Sequence, residues 1–206
     1  MARLKSSPAL LIVDMQNGFC HPSGSFSKIG IPISRHAAII PKIARLTRLC
    51  QSHNIPIIYT RMEFNEDYSD AGLMLDGLPG IKEAEGLVRD TWDAQIVDEL
   101  QPHPDAANVV VLSKTRHSAF FDTELSRLLK ERDINQIIVT GVGTNVCVEA
   151  TVRDSWTHGF QAITVSDATG TVSEEEQRAS MTNLQHFGGS ISVEELERWK
   201  EAKDSA

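Results

Sequence analysis

Residues 136–154 read QIIVTGVGTNVCVEATVRD, and this stretch decides the fold. Its opening QIIV is a β-rich run with little apolar/polar alternation, the pattern of a strand covered on both faces. Gly141 and Gly143 then let the backbone turn tightly, and a helical pattern follows over residues 145–158. A strand passing through a short turn into a helix is the repeating unit of an α/β protein.

Working outward, further β-rich runs lie at 9–13, 55–60, 108–113, 161–166 and, more weakly, 189–192, which makes six strands. Helical patterns occupy 34–52, 94–100, 122–132, 173–187 and the residues after Ser192. Ser173 with Glu176, and Ser192 with Glu195, have the spacing of capping boxes, in which each side chain satisfies a backbone donor of the first turn. Strand and helix alternate, and runs such as ALLIV and VVVL suit a parallel sheet, so the expected fold is a doubly wound α/β sandwich. Residues 61–93 are long and irregular, with Gly72, Gly77, Pro79, Gly80 and Gly86, and such an insertion next to strand ends can wall a binding pocket.

The 206 residues are 41% hydrophobic, 23% charged and 6% aromatic, a globular composition that excludes a disordered or collagen-like chain. One domain over residues 1–206 is expected, with only 201–206 resembling a frayed tail. Twenty Lys and Arg against 28 Asp and Glu give a net charge of −8, so there is no basic surplus for nucleic acid or an anionic membrane. The apolar runs are strand-sized, far below the roughly 20 residues of a membrane span. Behind the basic residues of 1–7 the apolar run stops at Asp14, before a signal-peptide core forms, and a cytoplasmic location is expected. Cys20, Cys50 and Cys147 are odd in number and lack C-x-x-C spacing, so they read as reduced thiols.

In open α/β sheets ligands bind at the carboxyl ends of strands. Three reactive side chains fall there: Asp14 after ALLIV, Lys114 after VVVLS, and Cys147 after QIIVTG. Each has an ordinary alternative: a helix cap for Asp14, a solvated cation for Lys114 and a small buried hydrophobe for Cys147. Together they supply a base, a charge to hold anions and a nucleophile. A thiol in a first helical turn beside a lysine is expected to favour the thiolate. Cys50, late in a helical pattern, and Cys20, in a loop, receive no role. GVGTNV lacks the third glycine of a dinucleotide fingerprint, so an oxidoreductase reading is weak, and the amides of Gly143 and Cys147 become oxyanion-hole candidates instead. The seven histidines show no H-x-x-x-H or HExxH pattern, so no metal is expected, and His117, His158 and His186 read as surface or second-layer groups.

The three segments LLIVDMQNGF, SKTRHSAFFDTEL and VTGVGTNVCVEATVRD resemble the isochorismatase-like cysteine hydrolase superfamily, and the likeness spans most of the chain. The resemblance implies a three-layer α/β/α sandwich on a six-stranded, mainly parallel sheet. It implies Asp14 as proton carrier, Lys114 as the cation beside it and Cys147 as nucleophile, with a non-proline cis peptide at Val142–Gly143 that directs the Gly143 amide into the oxyanion hole. It implies a thioester intermediate, loss of ammonia or an amine, no cofactor, and a homo-oligomer, dimer or tetramer. Nicotinamidases of the family carry an Asp-x-His cluster after the second strand, where YTRMEFNEDYSD has no histidine. Isochorismate hydrolases usually lack the thiol. KTRHSAF, TNVCVE and Arg153-Asp154 most resemble the ureido-cleaving branch, with ureidoacrylate amidohydrolases and biuret hydrolases. An isochorismatase-type or nicotinamidase-type hydrolase and a non-catalytic binding homologue are the alternatives. Candidate substrate contacts are Phe19, Glu63, Trp92, Arg116, Phe120 and Gln185. The three aromatics have a core role as alternative, Glu63 and Arg116 an ion pair or solvent, and Gln185 a solvated helix face, although its amide matches the donors and acceptor of a ureido group.

Overall fold

The computed structural model describes residues 7–103, 106 and 108–204. Its six strands are β1 Pro8–Val13, β2 Ile57–Met62, β3 Val109–Lys114, β4 Gln136–Val142, β5 Gln161–Gly170 and β6 Ser190–Ile191. The sheet order is β3-β2-β1-β4-β5-β6, and every neighbouring pair is parallel. The expected α/β architecture is therefore present, with the sheet wholly rather than mainly parallel. β1 and β4 are buried along their full length, which explains their unbroken apolar sequences, whereas edge strand β3 is half open. The chain reverses its winding between β1 and β4, the switch point where such sheets bind ligands.

The helices are α1 Asn17–Cys20, α2 Ser25–Lys28, α3 Ser34–Ala37, α4 Ile40–Ser52, α5 Met74–Gly77, α6 Leu125–Glu131, α7 Glu149–Thr157, α8 Glu174–Leu184 and α9 Val193–Asp204. α4 packs on β1, β2 and β5 and against α9, while α7 and α8 pack together on β5. The helix expected over 34–52 is broken between α3 and α4, because Pro41 in the first turn of α4 lacks an N–H and crowds the carbonyl four residues earlier. α8 begins at the Ser173 cap, whose hydroxyl accepts from the Glu176 N–H. At α9 the box is reciprocal, with Glu195 also accepting from the Ser192 N–H at 2.7 Å. Of the tail expected to fray over 201–206, residues 201–204 continue α9 through the helix formers Glu201 and Ala202, and 205–206 lie outside the described residues. The segment read as lacking a signal-peptide core, residues 1–6, lies outside the described residues.

Residues 94–100 are not the expected helix; only Asp98–Leu100 forms a 3-10 turn. Tertiary hydrogen bonds hold the preceding strip extended: Gln95 O accepts from the Asn17 N–H, and the Val97 N–H donates to Met15 O. Gln16 anchors both ends of the 61–93 insertion. Its amide donates to Met62 O and Ala94 O at 2.8 and 2.9 Å and accepts from the Met62 N–H at 2.8 Å. Asp93 ties the insertion to the loop after β1, accepting from Ser25 N, Ser25 Oγ and Leu87 N at 2.8, 2.7 and 2.8 Å. At Gly141 the chain needs glycine twice over: φ is 112°, and a Cβ would lie 2.0 Å from Val13 O.

Candidate active site

Asp14 leaves β1 with φ of 53°, a left-handed conformation that aspartate tolerates better than most residues. Lys114 is the last residue of β3, and Cys147 sits in a π-helical turn, Thr144–Val148, between β4 and α7. Wide turns of this kind recur at functional positions. Parallel strands end at the same edge, so three segments far apart in sequence converge there.

Lys114 Nζ donates to Asp14 Oδ2 at 2.7 Å, and neither side chain has any exposed surface. Burying two charges is costly unless their remaining sites are filled. Here Thr60 Oγ1 donates to Asp14 Oδ1 at 2.7 Å, and Lys114 Nζ also donates to Arg116 O at 3.0 Å. Cys147 feels the charges of both members of the pair. Burial pushes its thiol up to about 12; Lys114 opposes that rise and the Asp14 charge adds to it. The thiolate expected from sequence is thus not the resting form, because desolvation outweighs the lysine. Burial on its own pulls Lys114 down, but Asp14 and then Cys147 prevail and leave its ammonium firmer than usual.

Above this trio lies a cavity of about 200 Å³ whose wall includes Cys147 and Gly143. Val142–Gly143 is a cis peptide, and Gly143 O accepts from the N–H groups of Val146 and Val148, which fixes the turn. Thr144 braces the turn from behind through Gln177, whose amide reaches Thr169. Phe19, Phe26, Ile31 and His36 line the cavity from the segments after β1, and Met62, Met74 and Leu78 come from β2 and the insertion. The expectation that residues 61–93 wall a pocket is met by Met62, Met74 and Leu78. His117, Asn145, Val146, Thr171 and Val172 complete the lining.

Of the six expected substrate contacts, Phe19 alone is on this wall. Glu63 is buried among Ser113, Arg89 and Arg61, as the partner of two guanidinium groups. Trp92 borders a separate hollow of about 690 Å³ with His21, away from all three reactive groups. Arg116 turns to Asp70 O and Thr115 O, and only its carbonyl serves the site by holding Lys114. Phe120 is a core aromatic stacked on His158 and Phe160. Gln185 follows α8 and donates to Ser190 Oγ at 2.9 Å, outside the cavity. His117, read as a surface or second-layer group, instead lines the cavity, with burial and Lys114 both pulling its imidazole below the usual range.

His36 was given no part by the sequence. Neither were the apolar liners, which carry no motif and come together only through loop packing. Among the described residues no three His, Cys, Asp or Glu side chains lie close enough to share a metal ion. No described helix is long and apolar enough to cross a membrane.

A parallel α/β sandwich that gathers a thiol, a carboxylate and an ammonium at its switch point has the layout of a cysteine hydrolase. The isochorismatase domain model matches residues 8–195, and the chain belongs to that family. It is 32% identical over 202 residues to the ureidoacrylate amidohydrolase RutB of Yersinia enterocolitica, covering 91% of this chain and 86% of that one. The RutB of Caulobacter segnis is likewise 32% identical, covering 90% of this chain and 82% of that one. A cysteine hydrolase from Pseudomonas syringae pv. phaseolicola superposes with a TM-score of 0.86 at 30% identity, over 98% of this chain and 97% of that one.

Proposed function

We propose that the protein is a cysteine-dependent amidohydrolase that cleaves the C–N bond of a small ureido or amide compound through a thioester on Cys147. At the coarser level it is a hydrolase acting on linear amides, as its family and its amidohydrolase relatives indicate. The observation that carries the finer reading is the buried Asp14–Lys114 pair, whose charges act on a thiol on the wall of an apolar cavity. The ureidoacrylate named for the relatives supports ureido compounds as the first class to test.

In this reading Cys147 Sγ attacks the substrate carbonyl carbon as Asp14 takes the thiol proton. A thiol held near 12 ionises only when a base and an electrophile are both in place, so nucleophile formation and attack are coupled. The amides of Gly143 and Cys147 receive the developing oxyanion. The C–N bond breaks as Asp14 returns the proton to the departing nitrogen, leaving an acyl or carbamoyl thioester. Water then attacks that carbon, giving a proton to Asp14; the C–S bond breaks and the proton returns to sulfur. Lys114 keeps its charge throughout and holds Asp14 in place.

Ammonia release from biuret, ureidoacrylate, other N-carbamoyl compounds, simple amides and nicotinamide tests the reading, with Cys147→Ala as blank and a chelator as control. Chelator-insensitive release that disappears in Cys147→Ala is expected. Near-wild-type activity of Cys147→Ala, or no turnover of any member, overturns it. A homo-oligomer is the expected assembly, and a monomeric mass by light scattering would overturn that.

A further inference from the structure

α7 buries Thr151, Val152 and Ser155 and packs on β5, which leaves its other face turned outward. On that face Trp156 is 47% exposed, and Val146, in the π-helical turn that leads into α7, is 38% exposed. Glu149 and Arg153 stand between them. Successive members of the four are three or four residues apart, so they form one stripe along the helical run. Half-buried Ala150 lies beside the stripe and leaves room for a close neighbour.

The stripe is already held in place. Arg153 donates to Glu149 Oε1 from Nη2 at 2.6 Å and from Nε at 3.0 Å, and its guanidinium lies 4.7 Å from the centre of the Phe187 ring. Trp156 meets the same ring edge-on, centre to centre at 6.2 Å. Trp and Arg are the residue types that carry most binding energy in protein interfaces, and fixing them beforehand leaves less side-chain freedom to lose.

The order of the residues says what kind of partner fits. Val146 and Trp156 each lie five residues from Thr151, and Glu149 and Arg153 each lie two from it. Turned end for end about Thr151, the stripe meets itself with apolar on apolar and anion on cation. A two-fold interface demands this self-complementarity, because residue i meets j where j meets i. The chain carries a net charge of −8, which sets one copy against another, yet on this stripe the charges of Glu149 and Arg153 cancel. A strongly basic or acidic partner gains nothing from such a face.

We propose that this face docks a second copy of the chain, with the two α7 helices antiparallel about Thr151. Val146 then packs against Trp156 of the partner subunit, and Glu149 faces the partner's Arg153. The inference deepens the homo-oligomer expectation by giving it a surface; it rests on that expectation and on no property of the reaction. Val146 also lines the cavity beside Cys147, so the partner's Trp156 stands at the rim of the active site.

Light scattering over a concentration series reads the assembly, with the thermal midpoint recorded for every variant. Glu149→Arg sets cations against cations across the axis, and Arg153→Glu sets anions against anions. Each is expected to halve the wild-type mass, raising the dissociation constant of that step at least about a hundredfold. An equimolar mixture of the two variants pairs cations with anions and is expected to regain the wild-type mass, as is the double variant Glu149→Arg/Arg153→Glu on its own. Trp156→Ala is expected to weaken the step at least about tenfold. A mixture of Val146→Cys and Trp156→Cys, treated with a short bis-maleimide, is expected to yield a covalent pair that neither variant yields alone.

A monomeric wild type overturns both the proposal and the expected homo-oligomer. A wild-type oligomer that a folded single reversal leaves intact overturns the proposal alone, as does a mixture of folded variants that does not reassociate or a covalent pair that does not form. Should a single reversal fail to fold, dissociation of the double variant or unchanged association of Trp156→Ala overturns the proposal. Protein that associates as described but releases no ammonia from any amide would sink the hydrolase reading and leave the interface standing.

Discussion

Replacing Lys114 by Met removes an ammonium 2.7 Å from Asp14 in a site where neither side chain touches solvent. The carboxylate keeps its bond from Thr60 Oγ1 but loses its counter-charge. Breaking one side of a buried pair costs about 3–5 kcal/mol. For a chain of this length each kcal/mol is worth about 2–4 °C, so the thermal midpoint at neutral pH is expected to fall by roughly 6–20 °C. The loss carries a pH signature. A buried carboxylate without a counter-charge is harder to keep ionised than one in the unfolded chain, so the folded variant holds protons more readily in the mildly acidic range. Stability then falls as pH rises, and the deficit against wild type is larger at pH 8 than at pH 5. Adding Asp14→Asn removes the orphaned charge and is expected to recover at least about 2 kcal/mol, since deleting both members of a buried pair is close to neutral. Denaturant titration of the four proteins at pH 5 and pH 8 gives the cycle directly. A Lys114→Met protein within about 1 kcal/mol of wild type, with no pH-dependent deficit, would refute the view that this pair is mutually dependent.

The Cys147 thiol, held near 12 by burial, should be alkylated by iodoacetamide at pH 7.5 at least about a hundredfold more slowly than free cysteine, with log rate climbing through pH 10; a plateau near neutrality, read by mass spectrometry, would contradict this. Asp93→Ala strands two backbone N–H groups and the Ser25 hydroxyl, and is expected to cost about 2–4 kcal/mol by urea titration. A loss under about 0.5 kcal/mol would show that the Ser25 and Leu87 contacts are incidental. Gly141→Ala, which sets a Cβ against the Val13 backbone at a φ of 112°, is expected to prevent folding to the soluble native state. A soluble, active Ala variant with an unchanged midpoint would mean that β1 and β4 part there at little cost.

The sheet and the reactive trio were legible in the sequence for one physical reason. Fully buried parallel strands leave unbroken apolar runs, and a charged or nucleophilic residue at the end of such a run stands out. Asp14 and Cys147 follow such runs, and Lys114 ends the apolar run of half-open β3. The cavity wall was not legible, because it is made where loops meet. Phe26, Ile31, Met74 and Leu78 are ordinary apolar residues until Asp93 and Gln16 fold their segments over the sheet. Proximity in sequence to a reactive residue also misled: Arg116 and Phe120 follow Lys114 closely, yet one turns to Asp70 and the other into the core. The helix read at 94–100 failed for a related reason, since its backbone is committed to Gln16 and Asn17, 78 residues away in sequence for the Gln16–Ala94 bond. The depressed thiol expected at Cys147 failed because burial depth is invisible in a motif.

The Gln16 amide grips the insertion at both ends, at Met62 and Ala94, and Asp93 fastens it to Ser25. The anchors therefore belong to the sheet edge, while Met74 and Leu78, which shape the cavity, lie between them. Such a segment resembles a cassette: Met74 and Leu78 can be exchanged while the attachments at Gln16 and Asp93 stay in place. A lineage of such proteins can thus recruit new substrates by rewriting the cavity-facing positions of this segment rather than the sheet. The same division gives the engineer a boundary for grafting, with Gln16 and Asp93 as the residues to leave alone.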